Sequence, residues 1–92
     1  MTEDIQTTLA QRGQLHGRFQ ENADYSQRFK DIAQTSRNWE GMERFQREAI
    51  DMILHKIARI LAGDHRHMDH WHDVAGYATL VSGILDTTGP SQ

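Results

Sequence analysis

The chain has no cysteine, which excludes disulfides and thiolate metal sites and leaves its compartment unreadable from redox chemistry. It has no apolar run near the roughly 18 to 20 residues that a membrane span needs. The opening Met1-Thr-Glu-Asp4 is acidic, where a signal peptide begins basic. A soluble cytoplasmic protein with no membrane contact is the expectation. A basic excess is also missing. Thirteen acidic and ten basic residues leave a formal net charge of -3, so direct nucleic-acid binding is not expected. No strand-like alternation, internal repeat or low-complexity tract interrupts the sequence.

What is present is a set of helical signals on 92 residues, enough for one domain over 1–92. A domain this short buries only about 60% of its unfolded surface, so its core is thin and self-association as a homodimer or higher homo-oligomer is expected. Thr2, followed by Glu3 and Asp4, reads as an N-cap with acids in the first turn. A first helix is predicted from there to Arg12, stopped at Gly13, with residues 13–17 as a turn. Phe19, Ala23, Phe29, Ile32 and Ala33 predict a second helix to about Gln34. A linker over 35–41 is anchored by Trp39. Phe45, Ala49, Ile53, Ile57, Ile60 and Leu61 then hold an i, i+4 pattern for some five turns, with Gly63 as C-cap. Trp71, Val74, Ala75, Ala78, Val81 and Leu85 define the stripe of a fourth helix ending near Asp86, with Trp71 in the core and Gly76 allowing close helix approach. Residues 87–92 read as a frayed tail. The fold class is all-α: a small four-helix bundle-like domain with the third and fourth helices as a central antiparallel pair.

Candidate chemistry lies on that pair. Steps of three and four put Arg44, Glu48, Asp51, His55 and Arg59 on one face of the third helix, and His70, Asp73 and Tyr77 on one face of the fourth. Mg²⁺ takes oxygen ligands, keeps several waters and needs only a few carboxylates when substrate phosphates complete its shell. Glu48, Asp51 and Asp73 supply such a set. Lys56 and Arg59 would balance phosphate charge, and a metal-bound water near Glu48 would act as nucleophile on a phosphoanhydride. Tyr77 could stack on a nucleobase whose edge His16 and Asn22 would read. The competing reading is that these charges form ordinary salt bridges on solvated faces. Five of the six histidines lie between His55 and His72. They offer imidazoles for Zn²⁺, or else a polar turn with one buried, hydrogen-bonded histidine.

Glu48-x-x-Asp51, 18 intervening residues, then His70-x-x-Asp73 resembles the MazG-type all-α nucleotide pyrophosphohydrolase superfamily, whose signature is E-x-x-E followed by E-x-x-D. The strings over residues 47–61 and 70–78, with His16-Gly-Arg-Phe-Gln-Glu-Asn-Ala23, resemble small phage and prophage MazG-like proteins. The resemblance spans positions 11–85. It implies a homo-oligomeric helical fold in a bacterial host that cleaves a (deoxy)nucleoside triphosphate to monophosphate and pyrophosphate. Glu48, Asp51 and Asp73 would hold Mg²⁺. His70 stands where the superfamily has a glutamate, which lowers the charge of the site and fits Mn²⁺ or a scaffold that has lost the reaction. The alternative function is a non-catalytic phage inhibitor that binds a host defence protein through an acidic face containing Glu40, Glu43, Glu48 and Asp51.

Overall fold

The computed structural model describes residues 4–88. Four helices follow one another: α1 (Ile5–His16), α2 (Phe19–Gln34), α3 (Arg44–Ala62) and α4 (Met68–Thr88), with a short 3-10 turn over Trp39–Gly41 before α3. No strand occurs among the described residues, so the chain is all-α. No described helix is long and apolar enough to cross a membrane.

The start of α1 is capped by Asp4, whose side chain accepts from the Gln6 N–H at 3.1 Å. The cap expected at Thr2 lies outside the described residues. The helix also runs past Arg12 and through Gly13, against the expected stop, and ends at Gly17. The reason is local. A helical glycine costs only about 1 kcal/mol relative to alanine, and no neighbouring atom crowds Gly13. Gly17 instead adopts φ +85, a region that suits glycine. A Cβ there would lie 2.5 Å from the Ala62 backbone. Gly63 is equally constrained, because its Cβ would meet Gly17 N, His16 C and Leu15 O at 2.5 Å. The α1–α2 turn and the α3–α4 turn therefore touch backbone to backbone. Leu15 O fixes that contact by accepting from the Asp64 N–H at 3.1 Å and from His70 Nε2 at 3.0 Å.

The second helix has the extent expected of it, and α3 starts one residue before Phe45 and ends at Gly63 as expected. Gln46 reaches back to the Glu43 N–H at 2.8 Å to secure the start of α3. Trp39 is half-buried and tied to α3: Arg47 donates to the carbonyls of Trp39 and Glu40 and places its guanidinium 5.9 Å from the indole centre. Helix α3 packs against both α2 and α4. The buried apolar side chains, Ala49, Ala58 and Ile60, all belong to it.

Helix α4 departs from expectation. Trp71 is 54% exposed and donates its indole N–H to His65 O at 2.8 Å, so it is not core. The inward residues are His70, which is buried, and Asp73, Val74, Tyr77 and Val81, which are half-buried. That face is turned about one residue from the expected stripe. An added Cβ on Gly76 would meet nothing within 4 Å, so this glycine permits no close packing within the chain. The helix continues past Asp86 to Thr88, where the hydroxyls of Thr87 and Thr88 donate to Ile84 O. The rest of the expected tail, 89–92, lies outside the described residues.

Candidate functional site

The polar face of α3 is built as its spacing requires, with Glu48, Asp51, His55 and Arg59 in one stripe. Glu48 is exposed and Asp51 half-buried. One Asp51 oxygen, Oδ1, is enclosed and has no hydrogen-bond partner among the described residues. Across the helix pair, Asp73 is held by Lys56, with Nζ 3.1 Å from Oδ2 and the lysine side chain only 14% exposed. The hydrogen bond from Lys56 keeps the Asp73 carboxyl below the ordinary carboxylate range.

His70 is 2% exposed. A carbonyl only accepts, so its Nε2 carries the proton that Leu15 O receives. His16 Nδ1 lies 3.4 Å from the same nitrogen and stands there as an acceptor. His67 closes the group with its ring 4.8 Å from that of His70, edge to face. Of the expected metal-side residues, Asp73 is thus paired with Lys56 and His70 with Leu15. Among the described residues no three His, Asp or Glu side chains are grouped to hold a metal ion. Within the cluster His70 is the buried, hydrogen-bonded histidine, while His16 and His67 are half-buried.

His16, Asn22 and Arg59 are brought together. They line a cleft of about 520 Å³ between α1, the start of α2 and the second half of α3, with Arg12, Arg18 and His55. Leu9 and Phe19 form its apolar rim. Asn22 is buried and donates its Nδ2 to His16 O at 3.0 Å, which leaves its side-chain oxygen as the available group. Tyr77 lines a different depression on α4, with Asp73, Gly76 and Leu80.

Electrostatically the cleft is one-sided. Burial and then the neighbouring Arg59, His70, Arg12 and Lys56 push His16 down to about 4, so it is neutral at pH 7. His55 is lowered by burial, then by Arg59, Lys30 and Lys56. Arg59 itself is lowered by burial and by Arg12, with Asp73 acting the other way. Spacing gave no role to Arg12 or Arg18 and placed His55 only on the polar face of the third helix. The available signal was the pair Arg12-Gly13 and Gly17-Arg18, an arginine outside each glycine of one turn. Of the acids expected on one face, Glu40, Glu43 and Glu48 are exposed and Asp51 is half-buried.

A family model described as a domain of unknown function (DUF6378) matches residues 5–85. No curated protein and no solved structure matches the chain.

Proposed function

We propose that this chain, which belongs to the DUF6378 family, is a MazG-like, Mg²⁺-dependent (deoxy)nucleoside triphosphate pyrophosphohydrolase acting as a homo-oligomer in the bacterial cytoplasm. The observation that carries the reading is the Asp51 oxygen that is enclosed without a donor. A buried acceptor left unmatched costs roughly 1 to 3 kcal/mol, and more when charged. A cation arriving with a polyphosphate would offset that cost. Mg²⁺ needs only one or two carboxylates when substrate phosphates are present, so Asp51 with Glu48, one turn earlier on α3, is a sufficient protein share. When bound, the ion would polarise a phosphoryl oxygen and lower the pKa of water.

The chain's own residues do the rest. Asp51 is half-buried with its Oδ1 enclosed, and exposed Glu48 would accept a proton from water. Arg59, four residues beyond His55 on the same stripe, presents its guanidinium to the cleft where phosphates would lie. In this reading Lys56 and Asp73 fix the antiparallel register of α3 against α4, rather than meeting substrate.

Self-association fits the surface. The chain exposes 7127 Å², against about 5,500 Å² for a compact protein of its mass. The test is a panel of canonical and modified deoxynucleoside triphosphates with Mg²⁺ or Mn²⁺, scored for pyrophosphate. Turnover that falls at least 100-fold in Asp51→Asn is expected. A wild-type protein that releases none from any nucleotide, or an Asp51→Asn protein with full activity, removes the proposal.

A further inference from the structure

We propose that the cleft between α1, the start of α2 and α3 binds a phosphate-bearing small molecule directly through Arg12, Arg18 and Arg59, without a metal ion. Three guanidinium-bearing residues line one cavity, and among the described residues no carboxylate shares the lining. They come from three separate parts of the chain: the last turn and a half of α1, the residue before α2, and the second half of α3. Such a grouping repels itself unless a counter-charge enters. The basic groups are lowered accordingly, first by burial and then by each other: Arg12 acts on Arg59, and both arginines act on His16. The acid that acts against this lowering at Arg59 is Asp73, and that carboxylate is engaged by Lys56.

Two features select a phosphoryl group over other anions. Planar guanidinium groups pair oxygens two at a time, which suits the several oxygens of a phosphate or pyrophosphate. The start of α2 also opens at the cleft with Arg18 as its N-cap, and no side chain caps the helix there. Its first-turn N–H groups and its dipole favour negative charge. Size favours a small molecule over nucleic acid. A cavity of about 520 Å³ lies in the range of ligand pockets, whereas a nucleic-acid backbone needs an extended basic surface that a chain of net charge -3 lacks. At the mouth, Phe19 is 80% exposed and Leu9 57% exposed, an apolar rim suited to a ring attached to the phosphate.

This site shares Arg59 and its cleft with the proposed hydrolase, but it needs neither a metal ion nor cleavage of its ligand, so metal-free binding tests it apart from turnover. The probe is inorganic pyrophosphate, titrated calorimetrically into the whole chain in low-salt buffer with a chelator to remove divalent ions. One site per chain is expected. Arg12→Gln and Arg59→Gln should each weaken it at least tenfold. Arg37→Gln, an exposed arginine outside the cleft, should leave it unchanged. A nucleoside diphosphate that binds more tightly than pyrophosphate, with the gain lost in Phe19→Ala, identifies a nucleotide. Equal affinities identify the free polyanion.

Arg12 is exposed on α1, so its variant folds, as circular dichroism will check, and it decides the matter alone if the Arg59 variant does not fold. Absence of pyrophosphate binding by the wild type overturns the site. So does retained affinity in Arg12→Gln, or an equal loss in Arg37→Gln.

Discussion

Helices α3 and α4 lie side by side, yet they meet solvent in opposite ways. Helix α3 is strongly patterned, with charged and apolar residues segregated, and it is enclosed by α2 and α4. Helix α4 is the more apolar in composition, but its one buried residue is a histidine. Trp71, Leu80, Ile84 and Leu85 are left 39% or more exposed. Packing against α3 covers one side of α4 and leaves these side chains open. The difference teaches that α3 organises the chain, while α4 leaves much of its apolar surface uncovered. The elongated outline agrees: the radius of gyration is 15.9 Å, against about 12 Å for a compact chain of this length.

That contrast can be broken most severely where the two helices join. Gly63→Val should destabilise the fold by about 3 kcal/mol or more, because the atoms in its way are backbone and cannot yield. Urea denaturation measures the loss, and a stability near wild type would mean the two turns are not in contact. His70→Ala comes next, at about 2 kcal/mol, from a lost buried ring and a lost bond to Leu15 O. The control is Trp71→Ala, which should cost much less because the indole is exposed. A reversal of that order would return Trp71 to the core.

Leu80→Glu sharpens the other half of the comparison. It should leave the melting temperature of the isolated chain nearly unchanged while reducing the mass seen by light scattering to that of a monomer. A wild type that is monomeric at high concentration would count against α4 as a contact surface.

Smaller effects follow from charge. Asp73→Asn removes the partner of a largely buried lysine, so a modest fall in melting temperature is expected; no fall would show that the ion pair is without structural weight. His16 adds a pH dependence. Its folded-state value of about 4 lies below the unfolded value near 6.5, so between these values the unfolded chain binds more protons. Stability should therefore rise with pH through that window and fall on acidification. Partial exposure of the ring limits the effect to the order of 1 kcal/mol. Stability measured at pH 7 and pH 5 in wild type and His16→Gln should show the difference shrinking in the variant.

The helices were legible in the sequence wherever apolar spacing was unambiguous. The extent of α2 and the cap of α3 at Gly63 followed from periodicity and a glycine. The end of α1 did not, because Gly13 and Gly17 look alike in sequence and only the contact with Ala62 distinguishes them. The inward face of α4 was misread for a related reason. With apolar residues on several sides, the expected stripe held Val74 and Val81, which do face inward, but also took in Trp71, and the buried position went to a polar residue, His70. At the candidate site, the α3 stripe was readable from i, i+3 and i, i+4 spacing. Arg12 and Arg18 were not, since their meeting with Arg59 depends on a long-range backbone contact that no local pattern encodes.

The carbonyl of Leu15 has one more effect, on the timing of local opening. Helix α1 buries no residue of its own, so by itself it would fray quickly. Its last turn is tethered through one oxygen to the Asp64 amide and the His70 ring. Amide hydrogen exchange in the second half of α1 should consequently slow and quicken together with that of Asp64, as one unit of motion spanning opposite ends of the sequence.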